Sequence, residues 1–167
     1  KFKQQIKVEN ETVSLTKKDT DGLINVFKKK GMKLDENLVA WDLECSPDKD
    51  NIQTPYALGM AFKLNSEILY KSFWGLDCID KFFNFVHKNM QFFHNYTFYA
   101  HNSGKYDALC LMRYYILKDH SKFAFQEKKS CCSDGRWLRI MLTSKSDSKK
   151  QIKFQDSLAL LSMSLQK

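Results

Sequence analysis

One short stretch, "NLVAWDLE" from Asn37 to Glu44, constrains the fold more than any other. It is short, apolar and bounded by polar residues, and Pro47 and Asp48 end it, so it reads as a strand. Side chains two apart on a strand share a face, which sets Asp42 and Glu44 side by side and turns Trp41 and Leu43 the other way. Acids so spaced are common on solvated strand faces, but the near-continuous apolar run of Leu38, Val39, Ala40, Trp41 and Leu43 predicts a central strand covered on both faces. Carboxylates there need neutralising. No Arg or Lys is close in sequence, and paired carboxylates suit a hard, oxygen-seeking cation such as Mg²⁺ or Mn²⁺.

The segments that follow are strand-like and then alternate with helices. "TPYALGMAFKL" and "EILYKSFW" read as two strands joined by a turn at Asn65 and Ser66, an antiparallel meander with the acidic strand. From Asp77, a plausible N-cap, Ile79, Phe82, Phe83, Val86 and Met90 fall at helical spacing, a core stripe rather than a ligand platform. "YTFYAHN" is the next strand and "DALCLMRYYIL" the next helix. "GRWLRIMLTSKSDSKKQIKFQDS" reads as a hairpin around a charged loop, and "SLALLSMSLQK" starts a further helix. The order β-β-β-α-β-α-β-β-α gives a layered α/β fold with a mixed sheet.

At 167 residues the chain holds one globular unit, read as residues 38–167, behind a basic leader of residues 1–37. A narrow apolar stripe near "DGLINVFKKK" suggests a short surface helix in that leader. The net charge of +8 favours a polyanionic partner. Five cysteines, none in C-x-x-C spacing, indicate neither a disulfide framework nor zinc, and the adjacent Cys131 and Cys132 suit a loop. His87, His94, His101 and His120 show no ligand spacing. No apolar run reaches the roughly 18 residues that a membrane span needs. The chain opens on Lys1 rather than Met and reads as a processed or partial chain.

A second stretch, "YAHNSGKYDALCLM", carries the rest of the chemistry. Ser103 and Gly104 permit a tight turn after the strand, and Tyr106 and Asp107 open a helix. An acid at a helix start complements the dipole, which accounts for Asp107 but not for the company of Asn102 and Tyr106. An aromatic beside an amide donor is what a groove for single-stranded nucleic acid uses, one stacking on a base and the other holding backbone or base edges. Lys128, Lys129, Arg136 and Arg139, with Lys149 and Lys150, form either a basic rim beside Trp137 or a solvated hairpin.

"WDLE", then "HNSGKYD", then "FQDSLALLSMSLQK" together resemble the 3′→5′ proofreading exonuclease region of protein-primed family B DNA polymerases, the branch of linear plasmids and related phages. The resemblance runs from about Leu38 to the C-terminus. It implies a ribonuclease-H-like fold, with Asp42, Glu44 and Asp107 as catalytic metal ligands. It implies Asn102, Tyr106, Ser157 and Leu158 as contacts to the single-stranded DNA 3′ end, with Leu161 as a further hydrophobic position. Asp156 is read as a helix cap instead. The implied reaction is phosphodiester hydrolysis at a 3′ terminus with two Mg²⁺ or Mn²⁺ ions about 4 Å apart.

The family's third exonuclease motif, a Tyr with an Asp four positions on, is expected beyond Lys167, and polymerase palm and fingers are not in this sequence. Two functions of different class follow. One is an exonuclease domain of a polymerase; the other is an inactive remnant serving as an RNA-binding or structural subunit of a ribonucleoprotein such as a mitochondrial ribosome. The plasmid branch implies a mitochondrial location, with the cytoplasm as the alternative.

Overall fold

The structure is a computed structural model and describes residues 4–8, 11–15, 37–64, 67–119 and 121–159. Two short strands, β1 (Gln4–Val8) and β2 (Glu11–Leu15), pair antiparallel within the basic leader. The expected helix at "DGLINVFKKK" lies outside the described residues.

The main sheet is built on β3 (Leu38–Pro47), β4 (Gln53–Leu64) and β5 (Glu67–Trp74). It continues through β6 (Thr97–Ala100), β7 (Phe123–Phe125), β8 (Cys131–Ser133), β9 (Arg136–Ser144) and β10 (Gln151–Asp156). Its order is β5-β4-β3-β6-β10-β9-β7, with β8 also pairing with β9. β3, β6 and β10 run parallel in the middle, while β4, β5, β9, β7 and β8 are joined antiparallel. The fold is therefore the expected mixed α/β sheet with helices against it. Cys131 and Cys132 lie on the exposed strand β8 rather than in a loop, a run of three residues too short to show alternation.

Helix α1 (Cys78–Lys88) turns Cys78, Ile79, Phe82, Phe83 and Val86 inward, and a short α2 (Met90–Phe93) adds Met90 and Phe93. The expected phenylalanine stripe is thus core, broken into two helices at Asn89. Phe82 stands edge-on to Phe73, Phe98 and Phe154, so one side chain joins β5, β6 and β10. Asp77 precedes α1, but its carboxylate takes Lys81 Nζ at 2.8 Å and makes no capping bond. Helix α3 (Asp107–Leu111) continues as a π-helical turn, Met112–Ile116. Phe83 stacks on Tyr115 of that turn at 4.0 Å, which fixes α3 against α1.

One expectation fails on β3. Val39, Trp41 and Leu43 are buried, but Leu38, Ala40, Asp42 and Glu44 are exposed, so the strand alternates and only one face is covered. The open face continues across β4 and β5, where Gly59 lies opposite Asp42, and Ser72 opposite Gly59. A groove of about 360 Å³ runs over it, lined by Ala40, Asp42, Gly59, Ala61, Tyr70 and Ser72. Leu38 and Ala40 are apolar residues on the open face, which is why the composition of the run resembled a two-sided core strand.

Candidate active site

Register places the chemistry. Ala40 of β3 lies beside Tyr99 of β6, and Ala100 beside Asp156 of β10. Residues just beyond these points therefore lie together where β6 and β10 end beside the continuing β3, the carboxyl side at which open α/β sheets form binding crevices. Asp42 and Glu44 lie on β3 just past its last residue paired with β6, Asn102 to Asp107 follow β6, and Ser157 and Leu158 follow β10. His101 Nδ1 and Ser157 Oγ, 3.2 Å apart, join the last two segments.

Asp107 is the first residue of α3 and half-buried. Burial pushes its carboxyl up to about 6, the negative charges of Asp42, Asp156 and Glu44 add to the rise, and its own backbone N–H opposes it. Three acids from two other segments thus act on Asp107. Asp42 and Glu44 are exposed, so burial does not require them to be neutralised as the sequence suggested; the half-buried partner in the group is Asp107, on which their charges act. Among the described residues no three His, Cys, Asp or Glu side chains form a ready metal cage. The donor chemistry nevertheless suits a hard divalent cation, which would relieve the repulsion recorded at Asp107.

Tyr106 is 64% exposed beside these acids, with its ring open to a ligand. Asn102 has a left-handed backbone, φ 58°, a conformation that Asn adopts more readily than most residues. Its side-chain oxygen accepts from Arg136 Nη2. Arg136 Nε also donates to Asp156 Oδ2 at 2.9 Å, and Asp156 is fully enclosed. Gly104 N–H donates to the same oxygen at 3.1 Å, and Leu158 N–H to Oδ1 at 2.9 Å. The last bond is the cap expected of Asp156, at the 3₁₀ turn Ser157–Ala159. A Cβ on Gly104 would stand 2.5 Å from both Arg136 Cγ and the Trp137 carbonyl oxygen, so only glycine fits. Arg136 belongs to this network and not to a solvated rim; its partner on the next strand is what sequence spacing could not supply. Leu161 and the segment after it lie outside the described residues.

Cys45 and Cys110 bring β3 and α3 together, their sulfurs 3.9 Å apart. Burial, reinforced by Cys110, pushes the Cys45 thiol up to about 12. All five cysteines are free.

No family model matches the chain. Over 84 residues, half of its length, it is 38% identical to a DNA-directed DNA polymerase of Enterobacteria phage PRD1, of which the match spans 14%. Half of the chain is thus similar to part of a phage DNA-directed DNA polymerase. The polymerase-related region also has the fold seen in Phi29 DNA polymerase. A complex of that enzyme with primer-template DNA and incoming nucleotide gives a TM-score of 0.51 at 18% identity, covering 75% of this chain and 21% of the polymerase. A complex with single-stranded DNA gives 0.50 at 20% identity, covering 76% and 22%. The chain thus spans about a fifth of the solved polymerase. The phage source of these relatives gives no support to a mitochondrial location.

Proposed function

We propose that this region is the 3′→5′ exonuclease module of a protein-primed DNA polymerase, acting on the single-stranded 3′ end of DNA. The observation that supports the reading is that Asp42 and Glu44 of β3 lie close enough to Asp107, which follows β6, for their charges to add to the rise that burial produces in its pKa. The single-stranded DNA held by the Phi29 polymerase supports the choice of ligand.

In this reading Tyr106 stacks on the terminal base and Asn102 donates to the strand, while Ser157 and Leu158 line the opposite side. Asp42, Glu44 and Asp107 would hold Mg²⁺ or Mn²⁺, which when bound activates water and stabilises the leaving 3′ oxygen. The acids bind the cation in their ionised form, so occupancy requires Asp107 to release its proton. The RNA-binding alternative is not favoured, since the matched proteins are DNA polymerases.

The test is digestion of a 3′-labelled single-stranded oligonucleotide by the purified chain in Mg²⁺ or Mn²⁺, beside the double variant Asp42→Ala, Glu44→Ala. Stepwise release of mononucleotides by the parent and its loss in the variant are the expected results. Equal digestion by both would remove the acids from the mechanism.

A further inference from the structure

An asparagine can face a ligand with its amide nitrogen, a donor, or its oxygen, an acceptor, and the two ends have nearly the same shape. We propose that Arg136 is a positioning residue that fixes the Asn102 amide with its nitrogen toward the nucleic acid, restricting the partner of Asn102 to an acceptor oxygen of the strand. This rests on the site's reading as a holder of single-stranded DNA and adds to it the chemical sense of one contact.

The argument begins at the guanidinium. Arginine has donors only, so the end of Asn102 that meets Arg136 Nη2 must be the oxygen. Arg136 cannot swing away to release it, because its Nε is held at 2.9 Å by Asp156, which is enclosed and also receives the Gly104 and Leu158 N–H groups. The stem of Arg136 fills the space that Gly104 leaves by lacking a Cβ. One ion pair therefore sets both segments proposed to meet DNA, the Asn102 turn and the start of the Ser157–Ala159 turn. A lysine could preserve the charge opposite Asp156, but as a single point of donation it cannot also hold Asn102.

Binding of a 5′-fluorescein single-stranded oligothymidylate to the full chain, followed by anisotropy in EDTA, tests this beside thermal denaturation. Asn102→Asp keeps an oxygen for Arg136 and replaces the outward donor with an acceptor. It should keep the parent's melting temperature and weaken binding by about tenfold or more, exceeding the loss in Asn102→Ala. Arg136→Lys should lose about tenfold, with little further loss when Asn102→Ala is added. A merely structural role would lower the melting temperature and leave affinity in place.

Asn102→Asp binding within about twofold of the parent, or losses that multiply independently in the double variant, would overturn the inference alone. A folded parent that does not bind the oligonucleotide would overturn the reading of the site and this inference with it. Should Arg136→Lys not fold, the Asn102→Asp comparison decides by itself.

Discussion

Asp107 is held against its own charge by burial and by Asp42, Asp156 and Glu44, so its pKa of about 6 ties folding stability to pH. A carboxyl raised above its unfolded value favours the folded state most when protonated. Its contribution is complete below about pH 4 and is lost as pH rises through 6. In EDTA the parent should therefore be less stable at pH 8 than at pH 4 through this group, by at most about 3 kcal/mol for a side chain not fully enclosed. Asp107→Asn should flatten that part of the profile in urea titrations; an unchanged slope in the variant would refute it. At this scale the sequence placed Asn102, Tyr106 and Asp107 in one turn between a strand and a helix, where the structure has them. It could not show that Arg136 reaches back 34 positions to Asn102, because that contact exists only once β9 and β10 have paired.

At the scale of the element, β3 is the informative case. Trp41 packs edge-on against Phe154 at 5.5 Å on the covered face, yet its buried Nε1 has no hydrogen-bond partner among the described residues. Trp41→Phe removes that orphaned donor along with some packing, two effects of opposite sign and similar size. Its expected effect on unfolding free energy is within about 1 kcal/mol of zero, far below the 3–5 kcal/mol of a typical buried aromatic truncated to alanine. A loss above about 2 kcal/mol in denaturant unfolding would mean that packing dominates. The long strands and α1 were legible because their periods extend over many residues. β7 and β8, three residues each, were not, since their pairing with β9 gives them their identity.

For the whole molecule, the net charge of +8 is the feature that acts at a distance. Binding of single-stranded DNA should weaken as salt rises, with log K falling by about 0.7 per neutralised phosphate for each decade of salt. Anisotropy titrations between about 50 and 200 mM salt measure the slope, and an affinity indifferent to salt would exclude phosphate neutralisation as a driving term. Among the described residues no helix is long and apolar enough to cross a membrane.

The amino-acid sequence by itself determined the strands, the helix stripe and the two polar clusters, because periodicity and turn chemistry are local properties of neighbouring residues. Only the tertiary structure decided that β3, β6 and β10 lie side by side and parallel, so that segments separated by some sixty and fifty positions emerge at one edge. It also decided that Asp42 faces an open groove and that Glu44 is exposed rather than covered by a second core layer, since burial depends on what packs over a strand and not on the strand's own composition.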